Sequence, residues 1–339
     1  MNNKGVVLIV VLWVLLVLSL IAWGLGRRSS LEVSFVETYR GKLRSYAAAR
    51  AGLNELMDLL QRSPSQKDTL YSTGIAIDPT KSPEDIFGHI DTGQNAFASV
   101  QWQARNYTTG DDKTHLEYGL RDETGKININ AINISNYQIL SALFQLYGLS
   151  VSDGDKLALA ILDYTGINAQ VGTNNSFMNL SESILKPKNK PYENILELLE
   201  VNGMTQGIFD KIKGDVTVYG NSQNGLWVNT DTASNMVIMA IVNAAGRLNP
   251  SLNPTQVFKE ACTIRDGADA ESFTADDGVG SVSSIAHPNW PASLQEGSSG
   301  YYRATVVGVD ATSGARTVIE AVVHHPQGAP GEILSWYKD

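Results

Sequence analysis

A group of acidic residues in the carboxyl-terminal third is the part of the sequence best suited to hold a metal ion. Two glycines, Gly267 and Gly278, accompany its five carboxylates, which are Asp266, Asp269, Glu271, Asp276 and Asp277. Carboxylate oxygens on a flexible, glycine-containing segment suit Ca²⁺, although this spacing is not that of an EF-hand. The group is therefore a candidate calcium site, and the alternative is a solvated acidic loop that binds no metal.

Motifs for catalysis are missing from the sequence. It has no G-x-S-x-G, H-E-x-x-H or G-x-G-x-x-G pattern and no P-loop. His324 and His325 are adjacent on a predicted strand, so their side chains should point to opposite faces of the sheet. The single cysteine, Cys262, excludes an intramolecular disulfide and a cysteine-based zinc cluster. We expect a protein that is not an enzyme and that requires no cofactor.

The charge of the chain argues against nucleic acid as a partner. Its formal net charge is −9 at pH 7 and its pI is about 5.1, and an acidic surface is repelled by phosphates. Residues 191–220 resemble a helix-hairpin-helix unit, but they contain five acidic residues and only two lysines. We predict that this unit packs within the protein or contacts another protein.

The amino terminus has the strongest functional signal. Residues 6–26 contain no charge, and about 20 apolar residues in a helix cross the hydrocarbon core of a bilayer. A five-residue leader with one cation precedes this run and ends in Gly5. That layout is typical of a type IV prepilin cleaved between Gly5 and Val6, whereas a plain membrane anchor and a cleavable secretory signal are the alternatives. One cation before the run and two after it leave the orientation open.

A long helix is predicted to continue beyond the apolar run. Residues 6–62 contain no proline, and a helix of that length would extend about 85 Å. Its second half has an apolar stripe at Leu53, Leu56, Met57 and Leu60 that could pack on a domain. Pro64 ends the pattern, because proline cannot continue a helix.

The rest of the chain alternates between strand and helix patterns. We expect a loop over 64–95, an antiparallel meander at 98–106, 114–121 and 126–130, a block of helices over 131–263, a hairpin of strands at 301–309 and 316–324, and a last strand at 332–337. Within the block, a helix begins near Ile195, Thr205 caps the next, Asp231 or Thr232 caps another, and Asn253-Pro254 opens the last. Met236, Met239 and Ala240 are expected on the inner face of the third of these.

This pattern predicts an α+β fold: a long N-terminal transmembrane helix packed on an antiparallel sheet, with a large all-helical domain inserted between strands. The predicted parts are a leader (1–5), the helix (6–63), the first part of an α/β domain (64–130), the inserted helical domain (131–263) and the second part of the α/β domain (264–339).

Several segments together resemble the K-type minor pseudopilins of bacterial type II secretion. They are the leader ending at Gly5, the long helix, and the segments 121–130, 197–204, 229–234 and 333–336. The resemblance spans nearly the whole chain and implies a pilin-like α/β domain with an inserted helical domain. It departs from the family after Asp163-Tyr164, where Thr165 and Gly166 follow in place of further acidic residues.

The resemblance also implies a function and a set of partners. Members of the family are described at the tip of a periplasmic pseudopilus, with two smaller minor pseudopilins, and calcium has been reported in the family. Partners would be those pseudopilins, the inner-membrane secretion platform and the prepilin peptidase, whose processing comes with methylation. The location implied is the inner membrane, crossed once, with the C-terminal domain in the periplasm.

Val10 is the residue that bears on position within the pseudopilus. Most pilins have a glutamate at the fifth mature position, which the K-type lacks, and cleavage after Gly5 makes Val10 that position. A carboxylate in lipid needs a partner, so Val10 suits a topmost subunit that has no terminal amine above it. The alternatives are a minor pilin of a type IV pilus, a membrane-anchored DNA-uptake receptor and a membrane-tethered hydrolase, for which no catalytic motif is visible.

Overall fold

The computed structural model describes residues 4–62, 82–93, 95–105, 114–166, 188–220, 225–230, 232–267, 293–295, 300–326 and 330–338. In chain order its helices are α1 (Lys4–Arg62), α2 (Pro83–Phe87), α3 (Gln138–Leu146), α4 (Val151–Thr165), α5 (Gln206–Ile212), α6 (Asn235–Leu248) and α7 (Pro254–Arg265). Its strands are β1 (Ile90–Gly93), β2 (Ala96–Arg105), β3 (Thr114–Tyr118), β4 (Arg121–Asp122), β5 (Ile127–Asn128), β6 (Val216–Thr217), β7 (Trp227–Asn229), β8 (Ser293–Gln295), β9 (Tyr301–Asp310), β10 (Arg316–His324) and β11 (Glu332–Lys338).

The predicted long helix is confirmed as one continuous element, α1, of 59 residues. Within the described part of the chain, one segment is long and apolar enough to cross a membrane, Val7–Gly24, with a mean hydropathy of 2.9. None of that segment is buried against the rest of the chain. The helix therefore has an exposed apolar segment and, from Gly41 onward, a part that packs on the rest of the protein, which we call the head.

An antiparallel sheet forms the platform on which α1 packs. Its order is β1-β2-β9-β10-β11, with β3 paired to β2 and β4 paired to β9. Strands from before and after the helical block therefore lie side by side, since β2 pairs directly with β9. The core between α1 and the sheet contains Ala49, Leu53, Leu56, Leu60, Ala98, Val100, Tyr302, Ala304, Val306, Ile319, Ala321 and Val323.

The inserted region has a separate core. Helices α3, α4 and α6 pack together, and their buried side chains include Leu143, Phe144, Ile161, Val237 and Ile241. Side-chain caps begin several helices: Ser150 accepts a hydrogen bond at the start of α4, Thr205 at α5 and Asn253 at α7. The predicted fold class is confirmed, because a long helix packs on an antiparallel sheet and a mainly helical domain lies between its strands.

Several local predictions were wrong. Residues 127 and 128 do not extend the meander; β5 instead pairs in parallel with β6, inside the inserted region. A second parallel pair, β7 with β8, adds to the helices there. The loop expected over 64–95 contains α2 and β1, and the segment at Ile195–Glu200 is a 3₁₀ helix rather than an α-helix.

The start of α6 also differs from the prediction. Ser234, rather than Asp231 or Thr232, caps the helix by accepting a hydrogen bond from the backbone of Val237 at 3.2 Å. Asp231 lies outside the described residues, and Thr232 bonds elsewhere, to Asp122. The predicted Ala240 is buried, as are Val237 and Ile241, whereas Met236 and Met239 are only partly buried because they lie beside the buried face rather than on it.

Candidate functional site

The predicted processing site lies at the start of α1. Gly5 and Val6 are both in helical conformation, within the first turn. Val10 follows one turn later, on the segment that is long and apolar enough to cross a membrane, and its side chain is 56% exposed. Within the described residues, Val7–Gly24 has no part buried against the rest of the chain. Cleavage between Gly5 and Val6 stays a prediction.

A second exposed apolar surface lies on α1 between the membrane segment and the head. We call residues 25–40 the stalk. Phe35 is 74% exposed, and Val36 and Tyr39 are also largely exposed. Charged residues alternate with these side chains along the stalk, so its exposed apolar surface is limited to a few large side chains that are candidates for contact with another protein.

The candidate calcium group is mostly outside the described residues. Asp269, Glu271, Asp276 and Asp277 lie outside the described residues, and Asp266 follows directly after α7. Asp266 is buried, and both of its carboxylate oxygens accept hydrogen bonds from Arg265, at 2.5 and 2.7 Å. Among the described residues, no group of three or more His, Cys, Asp or Glu side chains could hold a metal ion. The calcium site stays a prediction, and Asp266 is the member whose oxygens already have a structural role.

Arg265 is a buried anchor that sequence reasoning missed. Besides Asp266, its guanidinium donates to the Ala233 carbonyl oxygen at 2.8 Å and to Asn235 Oδ1 at 2.6 Å. The end of α7 is thereby joined to the start of α6. The position of Arg265 in the last turn of a helix was visible in the sequence, but its partners 30 residues away were not.

A buried polar network joins the inserted domain to the sheet, and we call it the junction. At its centre, the fully buried Glu123 accepts hydrogen bonds from Lys126, from Thr217 and from Arg303 Nε, the last at 2.8 Å. Burial alone would raise the pKa of Glu123, but the positive charges of Lys126 and Arg303 outweigh it and hold that pKa well below its usual range. Glu123 is therefore ionised and links β9 to β6 through its two oxygens.

Asp122 makes the neighbouring half of the junction. Its Oδ2 accepts hydrogen bonds from Asn229 Nδ2 at 2.8 Å and Thr232 Oγ1 at 2.9 Å, and its Oδ1 accepts one from the Thr124 backbone at 2.9 Å. Because Asp122 is on β4, which pairs with β9, these bonds fix the loop before α6 against the sheet. A buried charged group that loses one partner is costly, so the junction favours one relative position of the two domains.

Two further contacts extend the junction to the last strand and to β2. Tyr219 Oη lies 2.8 Å from Ser335 Oγ on β11, and Arg121 donates to the Gly214 carbonyl oxygen at 2.6 Å. The Arg121 guanidinium also lies 5.2 Å from the ring centroid of Trp102 on β2, a cation–π distance. The inserted domain therefore contacts the sheet at β11 as well as at β4.

The two adjacent histidines do not form a shared site. His324 stacks on Tyr301, with ring centroids 4.1 Å apart, and its Nδ1 lies 3.4 Å from Glu332 Oε1. His325 is buried, and its burial together with the charge of His324 lowers its pKa. The partners of His324 suit a structural role at the β10–β11 end.

Comparison with known proteins finds no matching protein-family model and no matching curated protein. Among solved structures, a chain of the GspK–GspI–GspJ complex from the type 2 secretion system of enterotoxigenic Escherichia coli is similar. The match covers 92% of this chain and 99% of that chain, with a TM-score of 0.53 and 14% sequence identity. At this identity the similarity establishes the fold, and it confirms the pseudopilin fold that the resemblance of the sequence implied.

Proposed function

We propose that this chain is a minor pseudopilin at the tip of a type II secretion pseudopilus, where it has no catalytic role. The observation that carries the proposal is the shared fold with a chain of the GspK–GspI–GspJ complex over 92% of its length. The neighbour was solved together with two other secretion proteins, and we extend that mode of assembly to this chain. Its partners would be two smaller minor pseudopilins, and export across the outer membrane would be the process served.

The stalk and the membrane segment supply the means of assembly. Residues 7–24 would lie in the inner membrane, with the head in the periplasm. Phe35, Val36 and Tyr39 would pack against the helices of neighbouring subunits, since their apolar surfaces have no cover within the described chain. Apolar burial between parallel helices would then hold this subunit in the fibre.

The inserted domain would supply the cap. Its bulk lies on the sheet through the junction, where Glu123, Asp122 and Arg303 are buried and paired. A domain fixed in this way keeps its position relative to the sheet, so it would block a further subunit from adding above. Val10 is consistent with that position, because a topmost subunit has no amine above it to pair with a glutamate.

Cross-linking in intact cells tests the proposal. A tagged full-length chain, expressed from its own locus, would be cross-linked and purified from membranes, and the attached proteins identified by mass spectrometry. We expect two smaller minor pseudopilins, and we expect that deletion of the gene stops secretion into the medium. Recovery of type IV pilus subunits with unchanged secretion would contradict the proposal and support the pilus alternative.

A further inference from the structure

We propose that the outer edge of β11 is a docking strand, to which a neighbouring pilin-like subunit adds an extended strand of its own. This inference rests on the proposed function and specifies which surface of the head the partner uses. In this mode, main-chain hydrogen bonds supply affinity and alternate side chains supply selectivity.

The exposure of β11 is the first observation. It is the terminal strand of the sheet in the described part of the chain, paired with β10 on one side. All seven of its side chains are exposed, and the large apolar ones, Ile333, Leu334, Trp336 and Tyr337, are 40% to 57% exposed. Soluble proteins protect edge strands with charges, prolines or a covering segment. Here the charges are at the two ends only, Glu332 and Lys338.

The second observation is that β11 is held in place. Ser335 bonds to Tyr219 of the inserted domain at 2.8 Å, and Lys338 Nζ lies 4.7 Å from the ring centroid of Tyr46 on α1. A register shift at Leu334 leaves 335–338 as a regular edge. A strand fixed from both faces of the sheet loses little further conformational entropy when another strand pairs with it, so it is preorganised for binding.

A second copy of this chain fits the edge poorly. In an antiparallel pair of two β11 strands, Glu332 would lie opposite Lys338 of the other copy, which is electrostatically favourable. However, the two-fold axis of such a pair is perpendicular to the sheet, and α1 lies along the sheet face against β2, β9 and β10. The rotation would reverse α1, so the two membrane segments could not enter one membrane from the same side.

A parallel pair of two β11 strands keeps the direction of α1 but brings like charges together. Its two-fold axis runs along the strands and does not reverse their direction, but it places Glu332 opposite Glu332 and Lys338 opposite Lys338. Like charges directly opposite one another destabilise strand pairs. The partner must enter the membrane from the same side and must offer opposite charges to the edge. A different chain in the same membrane satisfies both, with a cation facing Glu332 and an anion facing Lys338.

Lysine substitutions on the edge test the proposal, because edge lysines oppose strand addition. The variants are Leu334→Lys and Trp336→Lys, and the control is Leu116→Lys on β3, whose side chain is similarly exposed at 44%. Each full-length variant would be purified with its partners from native membranes after checking its thermal unfolding. We expect each edge variant to co-purify with about tenfold less of the other minor pseudopilins than the wild type, as for loss of a hot-spot residue. The control should co-purify with as much as the wild type.

A photo-cross-linking amino acid at position 334 gives an independent measurement that does not depend on weakened binding. We expect it to join the chain to another minor pseudopilin. If the wild type recovers pseudopilins but both edge variants do so equally and position 334 does not cross-link to them, the docking strand is wrong while the proposed function stands. Cross-linking at 334 only to a second copy would also overturn it. If the wild type recovers none, the proposed function itself fails.

Discussion

Gly308 on β9 lies directly against Ser45 on α1: a Cβ atom at Gly308 would be 2.1 Å from the Ser45 carbonyl oxygen and 2.4 Å from the Ala49 nitrogen. The clash would be with helix backbone, which cannot move aside as a flexible side chain can. Close by, Ser45 Oγ and Thr317 Oγ1 share a buried hydrogen bond of 2.7 Å. The long helix is therefore fixed to the sheet at a position where only glycine fits.

Replacing this glycine should loosen the helix from the sheet. We expect Gly308→Ala to lower the free energy of unfolding of the head by about 1–3 kcal/mol, the usual cost of overpacking. Thermal unfolding of the full-length protein in detergent measures it. Gly207→Ala is the control, because Gly207 is in α5 and the nearest atom to its added Cβ, Thr205 Oγ1, is 4.0 Å away. Equal melting temperatures for the two variants would contradict the prediction.

Removing the negative charge at the centre of the junction should lower the free energy of unfolding of the protein. We expect Glu123→Gln to destabilise the protein by about 3–5 kcal/mol, since it removes the carboxylate that pairs with the buried Lys126 and leaves Arg303 with Glu320 alone. Urea unfolding provides the measurement. Glu193→Gln is the matched control, because the Glu193 side chain is 78% exposed and 3.8 Å from Lys188.

The same variant tests the pH dependence of stability. The pKa of Glu123 is lowered in the folded state, so its contribution is present above the unfolded value of about 4.5 and is lost as the pH falls toward the folded value. Wild-type stability should therefore decrease with acidification below about pH 4.5. We expect a shallower decrease for Glu123→Gln, and parallel curves would show that another carboxylate is responsible.

Features that depend on residues close together in the sequence were predicted correctly, and features that depend on distant residues were not. The absence of proline over 6–62 and the stripe through Leu53 and Leu56 were sufficient to predict α1 and its buried face. Residues 127 and 128 were assigned to the wrong sheet because a two-residue strand has no periodicity that identifies its partner, and that partner is at 216–217.

The junction was harder to predict for a related reason. Glu123, Thr217 and Arg303 are distant in the chain, so nothing local marks them as one buried network. The unusual density of polar residues at 121–126 was visible, but it reads equally well as an exposed turn. Gly308 likewise has a role only once α1 crosses β9, a contact that no strand pattern reveals.

Calcium binding can be tested by titration calorimetry on the full-length protein. We expect weak binding or none, and any binding should be lost in the double variant Asp276→Ala, Asp277→Ala, because removing two carboxylates removes hard oxygen ligands. Asp266→Asn should act differently, destabilising the end of α7 by weakening the ion pair with Arg265. Unchanged calcium binding in the double variant would place any site elsewhere.

Leader removal can be tested by N-terminal sequencing of protein made in a host with an active prepilin peptidase. We expect the mature chain to begin at Val6, because a short charged leader ending in Gly5 precedes the apolar run. The same chain made in a host without the peptidase is the control and should retain Met1. A mature end beyond residue 26 would indicate a secretory signal instead.

The last prediction concerns Val10, which is exposed on the apolar segment Val7–Gly24. Val10→Glu would put a carboxylate into lipid or a helix bundle, and such a charge costs about 2.5–3.5 kcal/mol at the centre of a membrane helix and less near its end. Insertion should persist, since the remaining apolar run is long. In a topmost subunit the new carboxylate has no amine above it, so tip assembly should weaken, or the variant should assemble as an ordinary shaft subunit.

Cross-linking to the other minor pseudopilins and a secretion assay distinguish these outcomes. Val10→Gln is the matched control, because it has the same size and polarity without the charge and should assemble better than Val10→Glu. A charge effect specific to the tip would therefore appear as a difference between the two variants. If Val10→Glu assembles and secretes like the wild type, the valine is incidental, and the topmost position would rest on the bulk of the inserted domain and its fixation through Glu123 and Asp122.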